Sequence, residues 1–256
     1  MSVSIDNLGE SVTNIEEARA SAALYRQLLD QIAAQHLNAN ISLKLTHMGL
    51  DVDPSLAHEL VAELVHKAAG MKPRNFVRVD MEGSAYTRRT LNFVHELQRQ
   101  PGNQGCVGAV IQSYMRSADK DVEDLLARRI RIRLCKGAYK EPAEIAFQRK
   151  SEVDENYVKL LKVLLKSGVF HGLATHDEKI IRQAKEFATR ESIPPEAFEF
   201  QMLYGIRRDL QQQLVRQGWG MRVYIPFGTE WYPYLMRRLA ERPANAWFIA
   251  QNLLRK

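Results

Sequence analysis

Two hydrophobic rhythms alternate along the chain. Short β-branched runs with a period of two are each followed by a longer segment whose apolar positions recur every three to four residues. The first rhythm predicts strands over Val3–Asn7, Ile41–Thr46, Phe76–Met81, Val107–Gln112, Ile130–Cys135, His171–His176, Phe198–Leu203 and Arg222–Phe227. The second predicts helices over Ile15–Gln35, Pro54–Ala69, Ala85–Gln100, Asp119–Ala127, Val153–Lys166, Glu178–Arg190, Arg207–Gln217 and Trp231–Glu241, with one more at Ala244–Leu254. Eight strand–helix units in 256 residues match the size of an α/β chain closed into a (β/α)8 TIM-type barrel. No composition break or linker divides the chain, so one domain is expected over residues 1–256. An open doubly wound sheet would need a phosphate-binding first turn. The first strand instead runs into Leu8-Gly9-Glu10-Ser11, with no G-x-G-x-x-G. Gly102, Gly105 and Gly108 precede a strand and are read as loop.

Splitting each strand into its two faces separates apolar from polar residues. Ile41, Leu43 and Leu45 oppose Ser42, Lys44 and Thr46; Val77, Val79 and Met81 oppose Phe76, Arg78 and Asp80. Ile132 and Leu134 oppose Arg131, Arg133 and Cys135, while Phe198, Phe200 and Met202 oppose Glu199, Gln201 and Leu203. In the last strand, Val223 and Ile225 oppose Arg222, Tyr224 and Pro226. The apolar faces must pack on the helices, so the polar faces point into the barrel. Such an interior is normally filled with branched apolar side chains. Charges buried there must pair with one another or meet a charged ligand. A polar ligand at the C-terminal mouth of the barrel accounts for the set, since Lys44, Asp80, Gln112, Arg133, Thr175, His176 and Tyr224 all fall near strand C-termini.

Composition narrows the chemistry. The chain is 45% hydrophobic and 26% charged, ordinary for a globular protein, and has no apolar run long enough to span a membrane. Its N-terminus does not read as a secretory signal, so the cytoplasm is expected. The net charge of +6 is spread along the sequence, which suits an anionic ligand or loose attraction to an anionic membrane surface and argues against a nucleic-acid face. Two cysteines exclude a disulfide scaffold, and the seven histidines show no metal-ligand spacing, so no metal site is expected. Nucleophile-elbow and Walker motifs are absent. Near the C-terminus, Arg237 and Arg238 are adjacent on a predicted helix, with Glu241 four residues after Arg237 on the same face. Two guanidinia there could grip a carboxylate, or could form a solvated helix face with an Arg–Glu pair.

The segments VRVDMEGS (77–84), AVIQSYMR (109–116), RLCKGAY (133–139), ATHDEK (174–179), FEFQMLYGIR (198–207) and YLMRRLAERPAN (234–245) resemble bacterial monofunctional proline dehydrogenase, in order and over nearly the whole chain. The resemblance implies a distorted (β/α)8 barrel with an extra C-terminal helix and non-covalently bound FAD. It implies oxidation of L-proline to Δ1-pyrroline-5-carboxylate by hydride transfer to flavin N5. Electrons would pass to a membrane quinone through peripheral contact with the membrane, and a pyrroline-5-carboxylate dehydrogenase would be a pathway partner. Lys44, Arg237 and Arg238 match groups that bind the proline carboxylate, Glu241 matches the helix partner that orients the arginines, and Asp80 matches an acidic residue beside Lys44 that organises the site. Arg133 matches an arginine at the flavin N5 edge. Met81, Gln112, Lys136, Gly137, Ala138, Tyr139, Thr175, His176 and Gln201 match flavin-contacting positions. Leu134, Tyr139 and Tyr224 match residues around the proline ring. Family members of this type carry a helical arm before the first strand; this chain starts almost at that strand, so the barrel is expected without the arm.

Two other readings remain at this point. A strand lysine, Lys44 or Lys136, could form a Schiff base as in class I aldolases. A binding protein for a small anion would use the same polar mouth without turnover.

Overall fold

A computed structural model of the chain describes residues 1–229. The strands are β1 (Ser2–Asn7), β2 (Ala39–Leu43), β3 (Val77–Val79), β4 (Val107–Gln112), β5 (Arg131–Cys135), β6 (His171–Ala174), β7 (Phe198–Leu203) and β8 (Met221–Phe227). They follow one another in sequence order around a closed barrel, and β8 pairs back onto β1. Every pairing is parallel. Helices α1 (Ile15–Ala34), α2 (Pro54–Gly70), α3 (Ser84–Arg99), α4 (Ala118–Ala127), α5 (Lys150–Lys166), α6 (Glu178–Arg190) and α7 (Arg208–Arg216) alternate with the strands. The expected (β/α)8 architecture is therefore present. The expected helices at Trp231–Glu241 and Ala244–Leu254 lie outside the described residues.

Local chemistry sets the helix starts. Asn14 accepts the Glu17 N–H at 2.9 Å ahead of α1. Asp53 accepts the N–H groups of Ser55 and Leu56 at 2.9 and 3.1 Å, with Pro54 at the first position of α2. Asp177 accepts the Lys179 N–H at 3.0 Å ahead of α6. Each cap occupies a backbone donor that the first turn leaves free. The helix N-terminus at α5 comes three residues before the expected Val153, at Lys150. Its first turn has no apolar residue to betray it, and the Glu152 carboxylate caps it by accepting the Arg149 N–H at 3.3 Å. The apolar strand faces, with Ile41, Leu43, Val77, Val79, Ile132, Leu134, Phe198 and Phe200 fully or almost fully buried, meet apolar helix residues such as Leu60, Val94, Leu161 and Leu214 in one core.

Three strands stop short of their expected ends. The ladder of β2 ends at Leu43, whose carbonyl accepts the Asp80 N–H at 2.8 Å. Beyond it the chain curls into a 3-10 turn at Thr46–Met48, with the Met48 N–H on the Lys44 and Leu45 carbonyls, so Thr46 is not in the strand. β3 ends at Val79 and β6 at Ala174, where the chain leaves for the mouth loops. Gly108, read as loop with Gly102 and Gly105 although it falls inside the expected strand Val107–Gln112, is the second residue of β4, and a side chain there would meet Arg78 in the interior. A β-carbon at Gly108 would lie 2.2 Å from the Arg131 carbonyl oxygen and 2.7 Å from Arg78 Nη1. That space lets the Arg78 guanidinium cross the barrel to the Ala109 and Arg131 carbonyls at 2.8 and 2.6 Å.

Gly108→Ala should therefore lower stability by about 1–3 kcal/mol or more, because backbone cannot move aside as a side chain can. Gly70→Ala, with nothing within 4 Å of its added methyl, serves as the control and should leave stability unchanged or slightly raised. Urea unfolding of both variants reads the difference.

Candidate active site

The polar strand faces meet inside the barrel around Arg133. Its Nη1 donates to Asp80 Oδ1 at 2.7 Å and to Ser42 Oγ at 3.1 Å, its Nη2 to Ser4 Oγ at 3.3 Å, and its Nε to Gln201 Oε1 at 2.7 Å. Side chains from β1, β2 and β7 and from the residue just past β3 thus meet on one guanidinium of β5. Asp80 Oδ1 also accepts the Ser42 hydroxyl at 2.7 Å, and Oδ2 accepts the Tyr224 hydroxyl at 2.9 Å. The Tyr224 ring centroid lies 5.0 Å from the Arg133 guanidinium carbon. Burial first, then the Asp6 and Asp80 charges, push the Tyr224 phenol up, so it remains a donor. Gln201 continues the network downward, donating to Glu199 Oε1 at 2.7 Å, and Glu199 pairs with Arg222 at 2.5 Å. Gly172 makes room for Gln201, since a β-carbon there would lie 2.2 Å from its Nε2.

Lys44 stands just past the end of β2. Its Nζ pairs with Asp6 Oδ2 at 3.3 Å. Burial alone would lower the Lys44 ammonium, but Asp6, Asp80 and Tyr139 outweigh it and hold it above the ordinary lysine range. Asp6 is itself raised, chiefly by burial, against the pull of Lys44. The Tyr25 hydroxyl of α1 donates to Asp6 Oδ1 at 3.3 Å. A lysine held charged in this way is a poor Schiff-base nucleophile. Lys136 is no better placed, since it lies between Asp154 at 2.5 Å and Asp177 at 3.0 Å. The aldolase reading therefore loses its support.

Around these charges the mouth carries mainly donors and amide groups. Gln112, at the end of β4, donates to the Glu82 carbonyl at 3.1 Å and accepts the Ala138 N–H at 3.3 Å. Met81 lines a small cavity of about 10 Å³ beside Gln112. Gly137 has a φ of 121°, and its face lies against the Tyr114 ring, where a β-carbon would approach to 2.3 Å. Thr175 Oγ1 accepts the Asp177 N–H at 3.1 Å, and His176 Nε2 accepts the Leu203 N–H at 3.0 Å. His176 also borders an open cleft of about 470 Å³, lined by Asp177, Glu178, Lys179 and Arg182 at the start of α6 and by Arg207 just before α7.

The structure thus brings Lys44, Asp80, Arg133, Gln201 and Tyr224 into one interior, with Gln112, Lys136, Gly137, Ala138, Thr175 and His176 at strand ends and loops of the mouth. Asp80 is bonded to Arg133 rather than to Lys44, whose carboxylate partner is Asp6. Leu134 departs from its expected place by the proline ring. It is fully buried on the face of β5 opposite Arg133, among the helix-side core, and its carbonyl accepts the Tyr157 hydroxyl of α5 at 3.1 Å. Arg237, Arg238 and Glu241 lie outside the described residues. Asp6, Ser4 and Glu82 were missed. For Asp6 and Ser4 the signal was available: Ser2, Ser4 and Asp6 alternate with Val3 and Ile5 as in the other strands, and all three are buried.

A flavin fits this donor set. Guanidinium, amide and ring-nitrogen groups at the ends of β4, β5 and β6 suit its carbonyls and phosphates, while the cleft beside His176 is of mixed charge, with Asp177 and Glu178 set among Lys179, Arg182 and Arg207. Among the described residues, no group of three or more His, Cys, Asp or Glu could hold a metal ion, and no helix is long and apolar enough to cross a membrane.

Comparison with known proteins gives a consistent result. The family model described as "Proline dehydrogenase" matches residues 1–251. The chain is 41% identical over 256 residues to Proline dehydrogenase 2 of Bacillus subtilis (strain 168), covering all of this chain and 83% of that protein. It is 38% identical over 254 residues to the proline dehydrogenase of Deinococcus radiodurans, covering 98% of this chain and 81% of the relative. Among solved structures, proline utilization A (PutA) from Bdellovibrio bacteriovorus, inactivated by N-propargylglycine, aligns with a TM-score of 0.85 at 27% identity. That alignment covers 93% of this chain but only 30% of the PutA chain.

The buried pairing makes a stability prediction. Asp80→Asn leaves the Arg133 charge without its counter-ion in the interior and should cost about 3–5 kcal/mol. Asp51→Asn, which breaks the exposed pair with Arg89, should cost less than about 1 kcal/mol. Denaturant midpoints of the two variants test this, and equal losses would mean the Asp80–Arg133 pair is effectively solvated.

Proposed function

The chain belongs to the proline dehydrogenase family and is an oxidoreductase that oxidises proline, the first step of proline catabolism; from that premise we propose that it does so with non-covalent FAD inside a single barrel domain, yielding Δ1-pyrroline-5-carboxylate. The observation that carries this reading is the partly buried Lys44 ammonium, paired with Asp6 at the barrel mouth and held charged there. It gives a carboxylate-bearing substrate one fixed point of attachment in a site largely withdrawn from water, where a charge-assisted contact is strong.

Lys44, with Arg237 and Arg238, binds the proline carboxylate, and Glu241 orients the two arginines. Tyr139 and Tyr224 close around the ring. Proline loses a hydride from C5 as its nitrogen lone pair forms the C5=N bond, and the iminium then gives up its N–H proton. When bound, the flavin supplies the two-electron acceptor for that hydride. Arg133, Met81, Gln112, Gln201, Thr175, His176 and the Lys136–Tyr139 segment would hold it, with Arg133, fixed by Asp80, supplying positive charge to it. The residues' main task is orientation, which can remove about 7–11 kcal/mol of barrier at best. A membrane quinone takes the electrons onward, and the net charge of +6 favours peripheral docking to an anionic membrane face in the cytoplasm.

No cysteine or histidine is assigned as an attachment point, so acid precipitation of the purified protein should release the flavin into the supernatant; yellow colour retained in the pellet would contradict non-covalent binding. Lys44→Met and Arg238→Met should each lower kcat/KM for proline by about ten- to a hundredfold, mainly through KM, with flavin content unchanged. Unchanged kinetics in flavin-loaded variants would remove these residues from substrate binding.

A further inference from the structure

Glu82 lies two residues beyond Asp80 in the loop after β3 and is 4% exposed. Thr46, in the 3-10 turn that follows Lys44, meets both of its carboxylate oxygens: the hydroxyl donates to Oε1 and the N–H to Oε2, at 3.3 Å for the latter. Thr46 also reaches the loop after β1, accepting the Ser11 N–H on Oγ1 at 3.0 Å and the Val12 N–H on its carbonyl at 3.3 Å. On its other side, the Glu82 carbonyl accepts Gln112 Nε2 at 3.1 Å, and Gln112 Oε1 accepts the Ala138 N–H at 3.3 Å. One run of hydrogen bonds therefore crosses the mouth, from the loops after β1, β2 and β3 to the end of β4 and the loop after β5.

A carboxylate is expensive to bury unless its interactions repay the lost hydration. Burial raises the Glu82 carboxyl, against the two Thr46 hydrogen bonds and the more distant Lys44 charge, so the group is kept at an electrostatic cost. A buried charge whose hydrogen bonds concentrate on one turn fixes that turn. The turn matters because Lys44 opens it: the Lys44 carbonyl accepts the Met48 N–H at 3.2 Å, so the orientation of Thr46 and the departure of the Lys44 side chain are set together.

We propose that Glu82 is a positioning residue for proline oxidation, holding the Thr46 turn so that Lys44 meets the substrate carboxylate while its own loop is tied through Gln112 to the Ala138 backbone. This rests on the reading of Lys44 as a substrate-carboxylate group. Glu82 does not touch substrate; it acts through Thr46. Removing its side chain frees the turn at Lys44 but leaves the carbonyl that Gln112 uses, so the two halves of the site should separate in a kinetic experiment. The loss should fall on proline binding and not on cofactor retention.

The test compares Glu82→Ala, Glu82→Gln, Thr46→Val and the Glu82→Ala/Thr46→Val double variant with the wild-type protein, all carrying flavin. Steady-state KM and kcat for L-proline, flavin-to-protein absorbance ratio and melting temperature are measured for each. Glu82→Ala and Thr46→Val should each raise KM about tenfold, with kcat changed less than about threefold and flavin ratio unchanged. Glu82→Gln, which keeps an oxygen for the Thr46 hydroxyl, should recover part of the loss. The double variant should lose clearly less than the sum of the two singles, because both remove the hydroxyl–carboxylate contact, although Thr46→Val also removes the acceptor of the Ser11 N–H and Glu82→Ala also removes that of the Thr46 N–H. Should Glu82→Ala fail to fold, Thr46→Val removes only the hydroxyl at nearly constant volume and still decides the matter. An unchanged KM in Thr46→Val, a fall in kcat and flavin ratio without a change in KM, or additive losses in the double variant would overturn the proposal. Absence of proline turnover in the wild type would instead overturn the functional reading on which it stands.

Discussion

Burying a guanidinium in a barrel interior costs several kcal/mol unless charge and hydrogen bonds replace the lost water. Arg133 has that replacement from all sides: Asp80 as counter-ion, Ser42 and Ser4 as small acceptors, and Gln201 at its Nε. Much of the interior follows from this requirement. The serines are short because the guanidinium needs their space. Gly172 lacks a side chain because Gln201 crosses in front of it. Asp80 is held in turn by Ser42 and Tyr224, so none of these groups can be exchanged singly without leaving a charge or a donor unmatched.

The interior is layered along the barrel axis. Toward the N-terminal ends of the strands, Arg222 pairs with Glu199, and Arg78 Nη1 donates to the Ala109 and Arg131 carbonyls, while Arg78 Nε and Arg131 Nε are buried without a hydrogen-bond partner among the described residues. Toward the C-terminal ends, Lys44 and Arg133 share the neighbourhood of Asp6 and Asp80, next to a mouth lined by donors. Stability and chemistry are thus separated along one axis, as barrel geometry favours. In the proposed reading, the upper layer presents a positive charge, fixed by its internal pairings, to a substrate carboxylate.

The barrel was legible because eight short β-branched runs recur at strand–helix spacing, and the unusual polarity of one face in five of them pointed to Lys44, Asp80, Arg133, Gln201 and Tyr224 directly. The same rule, applied to Ser2, Ser4 and Asp6 in β1, would have found the partner of Lys44. Leu134 shows the opposite case. Its role was carried over from a motif, while alternation with Arg133 already assigned its side chain to the helix layer. Glu82 and the Thr46 turn could not be read in advance. Their significance is a tertiary contact between loops 36 residues apart, and the run Ile41–Thr46 looks like strand to its end. Strand ends depend on where neighbouring ladders stop, which periodicity does not encode.

The central claim is that a charged, internally paired barrel mouth holds proline by its carboxylate for oxidation. Anaerobic addition of substrate to the flavin-loaded protein, followed by visible absorbance in a stopped-flow instrument, tests it most directly when L-proline is compared with pyrrolidine, which has the ring and amine but no carboxylate. The account predicts complete bleaching by L-proline and a rate at least about a hundredfold lower with pyrrolidine at equal concentration, corresponding to the loss of charge-assisted contacts. Bleaching at similar rates by both compounds, or no bleaching by L-proline, would contradict it.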